Sequence, residues 1–278
     1  MKIGASYWMF EGGLEATRPI SEAMQEAKDL GFDSIELCIA EQGVLTDKTS
    51  RSQCEDIVAL SHQIGIEISS VACGQNWSWS PTANDAQTRQ KIVDFTKNAL
   101  QVTGWLGTDA YLYVPGAVDV FWIPDGKVVP YDVCYSRAVE SLKQILPAAE
   151  KAGVTIGIEN VWNKFLLSPL EMRNFIDSFK SDKVGSYFDI GNVLLMGYPE
   201  QWVRILGKRI KRVHVKDFKT SVGTAAGFVD LLEGDVKFKE VRKALAEIGY
   251  DGYVTGELIP YGPGRPEKTV NAMRKIFK

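Results

Sequence analysis

The sequence contains the segment Lys211-Arg212-Val213-His214-Val215-Lys216-Asp217-Phe218. Two valines, Val213 and Val215, alternate with polar residues, and this period of two predicts a short β-strand. The strand ends in His, Lys and Asp, so ionisable side chains lie where the strand meets a loop. Because the chain contains 2 histidines, His214 is the first candidate for a functional side chain.

The unit to which this strand belongs, a short apolar strand followed by a loop and a helical segment, recurs along the chain and decides the fold. The predicted strands are residues 2–6, 34–39, 67–73, 110–114, 155–160, 184–190, 210–217 and 253–259. The predicted helices are residues 20–30, 51–64, 84–103, 133–152, 169–179, 200–206, 238–248 and 266–277. Because each helix returns the chain to the same end of the sheet, the strands are expected to be parallel. Eight such units predict an α/β fold, a closed (β/α)8 or TIM barrel, formed as a single domain over residues 1–278.

An open, doubly wound sheet is the competing architecture. It requires a glycine-rich phosphate turn after the first strand, and Gly4-Ala5-Ser6 does not match the GxGxxG pattern. The barrel is therefore favoured. Its fourth strand is followed by a long loop that contains Trp122 and Asp125-Gly126.

The composition excludes several classes of protein. The chain is 45% hydrophobic and 24% charged, which is sufficient for a large core. The net charge is -3 and Lys and Arg form no basic stripe, so neither nucleic acid nor an anionic membrane is an expected partner. The start of the chain has no apolar signal core, and no run reaches about 18 apolar residues, so a cytoplasmic protein is expected. The 4 cysteines lack CxxC spacing and are expected to be reduced and buried.

Ionisable side chains end the last four predicted strands. They are Glu159, Asp189, His214 and Glu257, and the carboxyl ends of barrel strands meet at one rim. Any one acid there could be an ion-pair partner, but three buried carboxylates close together need a cation to neutralise them. Three carboxylates and one imidazole suit Mn²⁺, with Mg²⁺ or Co²⁺ as alternatives. About two octahedral positions would be left for substrate oxygens.

Six short motifs occur at or near these strand ends. They are Ile158-Glu159-Asn160, Phe188-Asp189-Ile190-Gly191-Asn192, Arg212-Val213-His214-Val215-Lys216-Asp217, Gly234-Asp235-Val236, Tyr250-Asp251-Gly252-Tyr253 and Gly256-Glu257. With them the chain resembles the xylose-isomerase-like TIM barrel superfamily in its sugar-phosphate isomerase/epimerase branch. Within that branch it is similar to ketose 3-epimerases of the tagatose/psicose type and to L-ribulose- or L-xylulose-5-phosphate 3-epimerases.

The resemblance implies a metal-dependent 3-epimerase that acts on a ketose or a ketose phosphate. Glu159, Asp189, His214 and Glu257 match the metal ligands of the family, and Glu159 and Glu257 also match its two acid/base residues. Such enzymes remove a proton and return one through a metal-stabilised enediolate. Two carboxylates are needed because inversion of a carbon requires groups on opposite sides of the sugar.

Four further residues are predicted to bind substrate. Asn192 occupies the position where many members of the family carry a sugar-binding His, and Asn can donate and accept hydrogen bonds but cannot titrate near neutrality. Lys216 is expected either to meet a sugar oxygen or phosphate, or to pair with Asp217 or another acid. Glu36 is expected to bind a sugar hydroxyl or to fill a polar layer of the barrel. Trp162, which follows a catalytic carboxylate, is expected to contact the sugar.

The strand-to-helix loops carry more candidates. Trp77, Trp79, Trp122 and Trp162 are expected to wall a sugar pocket or to form a subunit interface, which would make a homodimer or homotetramer. Arg265, in the loop after the eighth strand, could meet a phosphate. The expected partner is thus a small sugar or sugar phosphate.

Other functions share parts of this pattern. An aldose–ketose isomerase similar to hydroxypyruvate isomerase, or an inosose dehydratase, would begin with the same proton removal beside a carbonyl. A DNA-repair endonuclease on this barrel would need several histidines for a trinuclear zinc site, and the chain has 2. A sugar- or metal-binding barrel without catalysis would not need the acid/base pair.

Overall fold

Eight parallel strands close into a barrel in a computed structural model, which describes residues 1–123 and 127–278. The strands are β1 (Lys2–Ser6), β2 (Ser34–Ile39), β3 (Glu67–Cys73), β4 (Ala110–Tyr113), β5 (Thr155–Glu159), β6 (Val184–Asp189), β7 (Ile210–Val215), β8 (Asp217–Phe218), β9 (Phe228–Val229) and β10 (Tyr253–Gly256). Strands β1 to β7 and β10 form the barrel, in the order β1-β10-β7-β6-β5-β4-β3-β2. The short β8 and β9 pair as an antiparallel hairpin in the loop after β7.

Helices cover the outside of the barrel. They are α1 (Ile20–Leu30), α2 (Arg51–Ile64), α3 (Gln75–Ser78), α4 (Ala86–Trp105), α5 (Tyr131–Ala152), α6 (Pro169–Asp177), α7 (Pro199–Leu206), α8 (Phe238–Glu247) and α9 (Arg265–Phe277). Local sequence sets their ends. Ser50 and Gln53 form a capping box that begins α2, and α1 ends at Gly31, whose φ of 89° is in the left-handed region.

The predicted (β/α)8 barrel is confirmed, and five predicted elements, residues 2–6, 34–39, 67–73, 20–30 and 51–64, have the bounds seen in the structure. The fourth to eighth barrel strands end before the predicted residues 114, 160, 190, 217 and 259, because the last predicted residues already belong to the loops. The sequence did not predict α3 or the hairpin of β8 and β9. Asp125 and Gly126 of the predicted long loop lie outside the described residues.

The barrel strands are buried on both faces, as parallel strands are when helices cover the sheet. Every residue of β2, β4, β5 and β6 is buried. Register then brings the strand ends together. Asp189 of β6 lies beside His214 of β7, and the backbone N–H of Glu257 donates to Val215 O at 3.2 Å.

The loop from β7 to α8 is held by one buried carboxylate. Asp217 accepts four backbone N–H groups, from Phe218 (2.9 Å), Leu232 (2.9 Å), Gly234 (3.0 Å) and Val236 (3.1 Å). A Cβ at position 234 would lie 2.2 Å from Asp217 Oδ1, so only glycine allows this approach. The Gly234-Asp235-Val236 motif therefore has a structural role: it folds this loop back onto the end of β7.

Among the described residues, no helix is both long enough and apolar enough to cross a membrane. The 4 cysteines are buried and free, as predicted.

Candidate active site

Four ionisable side chains meet at the carboxyl end of the barrel. Glu159 ends β5, Asp189 ends β6, His214 lies in β7, and Glu257 follows β10. Each is buried, and one ligand atom from each lies within 4.8 Å of the others. The structure thus brings together the four side chains that the sequence grouped as metal ligands.

Three atoms of this cluster make no hydrogen bond of good geometry to the described residues: Asp189 Oδ2, His214 Nδ1 and Glu257 Oε2. The two oxygens do lie within ion-pair distance of Lys216 Nζ. His214 Nδ1 lies 3.0 Å from Glu257 Oε2 and 3.6 Å from Glu159 Oε1. One ammonium faces three buried carboxylates, and Nδ1 of His214 has no hydrogen bond, so the set can accept a further cation. Their chemistry fits a divalent cation of the Mn²⁺ or Mg²⁺ type.

Lys216 supplies positive charge at the edge of the cluster. Its Nζ lies 2.9 Å from Asp189 Oδ2 and also pairs with Glu257 Oε2. Burial alone would lower the pKa of this ammonium, but the carboxylates of Asp189, Glu257 and Glu159 raise it above its usual range. Of the two roles expected for Lys216, the structure therefore has the ion pair with barrel-mouth acids, although with Asp189 and Glu257 instead of Asp217.

The two glutamates that line the cavity differ in proton affinity. Burial, together with the charge of Glu257, raises the pKa of Glu159 to about 7, against the lowering effect of His214 and Lys216. Burial also acts to raise the pKa of Glu257, but the charges of Lys216 and His214 outweigh it and lower the pKa to about 2. Two carboxyl groups a few ångströms apart thus differ in their affinity for a proton, as they do in acid/base pairs.

Glu36 lies behind His214 and does not line the cavity. Its side chain is fully buried, and His214 Nε2 donates to Glu36 Oε1 at 2.9 Å. The other carboxylate oxygen accepts from Ser70 Oγ at 2.9 Å and from the Tyr187 hydroxyl. The predicted contact between Glu36 and a sugar is therefore wrong: its oxygens are already occupied inside the barrel. It belongs to a polar layer there, which was the second expectation.

This polar layer fixes the orientation of the His214 ring and the nitrogen that carries a proton. A carboxylate can only accept, so Nε2 of His214 carries a proton and Nδ1 is the nitrogen that faces the cluster. Partners of this kind orient metal-binding histidines in many proteins. Sequence reasoning missed Ser70 and Tyr187 as members of the layer. The available signal was the presence of hydroxyl side chains within otherwise apolar barrel strands.

Asn192 and Trp162 belong to a hydrogen-bonded network beside Asp189. The backbone N–H of Asn192 donates to Asp189 Oδ1 at 2.8 Å, and its side-chain amide donates to Asn160 O at 3.0 Å. Trp162 Nε1 donates to Asn192 O at 2.8 Å. The Asn160 side chain in turn accepts from Asp189 N and donates to Asp189 O. The network holds the loops that follow β5 and β6 in place next to Asp189, a predicted metal ligand.

A cavity of about 630 Å³ opens above the cluster. Five predicted site residues line it: Glu159, Trp162, Asn192, Lys216 and Glu257. Trp77 and Trp122 also line the cavity, as predicted for pocket walls. Trp79 does not. It packs instead against Phe95, with Lys91 Nζ 3.6 Å from its ring centroid.

Several lining residues were not singled out from the sequence. They include Trp8, Leu14, Phe121, Phe228 and Asp230. Trp8 and Leu14 follow β1, and Phe121 precedes Trp122, so their positions after barrel strands were the available signal. Arg265, predicted to meet a phosphate, forms an ion pair with Asp230 through its Nε at 2.9 Å from Oδ1.

The chain belongs to the xylose isomerase-like TIM barrel family, whose family model matches residues 24–278. It is 21% identical over 246 residues to fructoselysine 3-epimerase of Escherichia coli O157:H7, which covers 87% of this chain and 86% of that protein. It is 24% identical over 255 residues to an L-ribulose-5-phosphate 3-epimerase of Escherichia coli O1:K1, which covers 88% of this chain and 84% of that protein.

A crystal structure of a D-tagatose 3-epimerase-like protein superimposes on the barrel with a TM-score of 0.80. The superposition covers 99% of this chain and 97% of the other, at 21% sequence identity. At this identity the likeness shows a shared fold.

Proposed function

We propose that this protein is a divalent-metal-dependent sugar isomerase that inverts carbon 3 of a ketose. The observation that carries the proposal is the pair of buried glutamates, Glu159 and Glu257. Both line one cavity, and both belong to the same cluster as Asp189 and His214. The names of the two curated relatives, both 3-epimerases, support the same reaction.

Glu159, Asp189, His214 and Glu257 would hold the metal ion, with Mn²⁺ as the first choice and Mg²⁺ or Co²⁺ as alternatives. A divalent cation bound there supplies Lewis acidity toward the carbonyl oxygen of the sugar. Glu36 contributes by holding the His214 ring with Nδ1 toward the cluster. The excess of buried carboxylate charge over the single Lys216 ammonium, and the unbonded His214 Nδ1, support this ligand set.

The two glutamates carry the proton transfers. One carboxylate accepts the C3 proton, and the electron pair of the broken C–H bond moves toward the carbonyl, which leaves a planar enediolate. The other carboxyl group gives a proton to C3 from the opposite face, and the configuration is inverted. Each turnover leaves the two groups with exchanged protons, so the next cycle needs exchange with solvent.

Three residues are assigned to orient the sugar. We assign Lys216, which lines the cavity and pairs with Asp189 and Glu257, to donate to a sugar oxygen. The amide nitrogen of Asn192 is engaged with Asn160 O, so its carbonyl oxygen is the atom offered to a hydroxyl. The ring of Trp162 offers a surface for the C–H face of the sugar and excludes water.

Hydrogen exchange in D₂O tests the reaction. Purified protein loaded with Mn²⁺ is incubated with D-fructose, D-tagatose and their 3-epimers, and deuterium is located by NMR. Epimerisation places deuterium at C3 of the product. Deuterium only at C1 or C2 would overturn the proposal in favour of an aldose–ketose isomerase, and loss of water would indicate a dehydratase.

A further inference from the structure

A chain of aromatic rings surrounds the outer part of the cavity. Trp77 and Trp122 have centroids 4.8 Å apart, Trp122 and Phe121 also 4.8 Å, Phe121 and Trp162 6.2 Å, and Trp162 and Phe228 5.1 Å. We call these five residues the aromatic arc. Its members come from the loops after β3, β4, β5 and β7, so it spans neighbouring loops on one side of the cavity mouth.

The facing wall is apolar as well. It consists of Trp8 and Leu14, which follow β1, and of Leu258, Ile259 and Pro260, which follow β10. Phe121 and Trp122 are 60% and 39% exposed, and Leu14 and Ile259 are 47% and 40% exposed. A contiguous exposed apolar surface at a cavity mouth marks a place where an apolar group binds.

The arc offers ring faces more than hydrogen-bond donors. Trp162 Nε1 is already donated to Asn192 O at 2.8 Å, and on the facing wall Trp8 Nε1 contacts Cys38 Sγ at 2.9 Å. The hydrogen-bonding groups that a sugar needs are concentrated at the floor instead, at Glu159, Asn192 and Glu257. The cavity therefore has a polar floor and a mainly apolar outer part, in which the charged lining residues Asp230 and Arg265 pair with each other.

The charges of the described lining residues do not suit a phosphate. Lys216 pairs with Asp189 and Glu257, and Arg265 pairs with Asp230 and donates to Pro260 O at 2.8 Å. A phosphate in the outer part would be repelled by the Asp230 carboxylate. Because Lys216 and Arg265 are already paired with carboxylates, each would attract a phosphate less strongly. A dianion that loses its hydration needs several free donors.

The size of the cavity points the same way. At about 630 Å³ it falls within the range of about 300–1,000 Å³ that holds drug-sized ligands. A free hexose is much smaller than such a ligand and would leave the outer part filled with water against aromatic rings.

We propose that the outer part of the cavity binds an apolar, preferably aromatic, substituent of the substrate. The substrate class is then a ketose or keto-sugar that carries an aglycone-like group, instead of a free monosaccharide or a sugar phosphate. This inference rests on the proposed function, because the floor of the same cavity holds the reacting carbon.

The test compares three forms of one ketose that differ only at O6: D-fructose, D-fructose 6-phosphate and 6-O-benzyl-D-fructose, with the same three forms of D-tagatose. C3 deuteration by the Mn²⁺-loaded protein gives kcat/KM, and calorimetry gives the dissociation constant. Burial of the phenyl ring is expected to raise kcat/KM and affinity about 10- to 100-fold over the free ketose. The phosphate is expected to be the poorest of the three.

The possible results distinguish failure of the apolar-subsite inference from failure of the proposed 3-epimerase function. Equal rates for benzyl and free ketose, or a preference for the phosphate, would overturn the inference and leave the proposed function standing. Absence of C3 exchange with every sugar would overturn the proposed function. In that case calorimetry still decides the inference, since tighter binding of the benzyl sugars supports the apolar subsite and equal binding refutes it.

Variants tie the effect to the arc. Trp122→Ala and Phe121→Ala are each expected to lower the ratio of benzyl to free-ketose kcat/KM about tenfold, because each removes ring contacts. Tyr198→Ala is the matched control: Tyr198 is 58% exposed, close to the 60% of Phe121, and lies outside the cavity lining. It should keep the ratio, with folding of all three checked by circular dichroism. An unchanged ratio in both arc variants would contradict the inference.

Discussion

At the scale of single residues, the site depends on which side-chain atoms are free and which are already bonded. Glu159 and Glu257 face the cavity, whereas Glu36, with the same carboxyl group, is enclosed by His214, Ser70 and Tyr187. The first two are therefore available to a ligand and the third acts through another side chain. This distinction leads to two predictions.

Glu36→Gln is expected to weaken Mn²⁺ binding about 10- to 100-fold, because the imidazole loses the carboxylate that fixes its proton on Nε2. Titration followed by the electron paramagnetic resonance signal of free Mn²⁺ measures the affinity. Glu67→Gln is the control, since Glu67 pairs with Lys2 at the far end of β3. Equal affinity in wild-type protein and Glu36→Gln would show that Glu36 does not position His214.

Glu159→Gln and Glu257→Gln are each expected to reduce epimerisation about 10²- to 10⁴-fold, the usual contribution of a general acid or base. Each variant keeps one carboxylate of the pair Glu159 and Glu257. Each should therefore still exchange the C3 hydrogen of one epimer with D₂O, and the two variants should act on opposite epimers. NMR of both epimers measures this, with Mn²⁺ content determined in parallel. Exchange of the same epimer by both variants would contradict the assignment of opposite faces.

At the scale of elements, the strands place the reactive groups and the loops complete the cavity. The sequence was enough to predict that Glu159, Asp189 and His214 lie at the carboxyl ends of their strands, because an ionisable residue late in an apolar strand is visible in the sequence. Glu36 was not predictable in this way. The register between β2 and β3 shifts between Ile35 and Glu36, so alternation alone does not tell which layer of the barrel the side chain enters.

Gly234→Ala is expected to destabilise the protein by about 2–4 kcal/mol, since its Cβ would displace the Asp217 carboxylate from buried N–H donors. Urea unfolding measures the loss. Gly262→Ala is the control: Gly262 has ordinary contacts at 3.8 Å and no positive φ. Equal stability of the two variants would mean that the loop tolerates a shift of Asp217.

At the scale of the whole molecule, the barrel was predictable because eight similar units leave few alternatives for parallel strands. The cavity was less predictable. Trp8, Leu14, Phe121, Phe228 and Asp230 come from loops far apart in sequence, and their meeting depends on closure of the barrel. The sequence thus predicted the clustered ionisable residues at the strand ends better than the loop residues that line the outer part of the cavity.

Metal removal is expected to lower the free energy of unfolding of the whole protein, since a cation that binds only the folded state stabilises that state. At a Mn²⁺ concentration about 100 times the dissociation constant, the gain is about 2.7 kcal/mol. A rise in Tm of roughly 5–10 °C is expected from this figure for a chain of this size. Calorimetric scans with Mn²⁺ and with EDTA measure it, and Asp189→Asn should respond much less. Identical Tm values for the wild-type protein in both conditions would argue against a metal bound by this cluster.

The aromatic arc sits on loops, while the four clustered ionisable groups sit on or directly beside strands. Mutagenesis of the loops after β3, β4 and β7 could therefore change which sugar is accepted without moving Glu159 and Glu257, the proposed acid/base residues. The barrel would then stay constant, and changes in the loops alone would alter the substrate specificity.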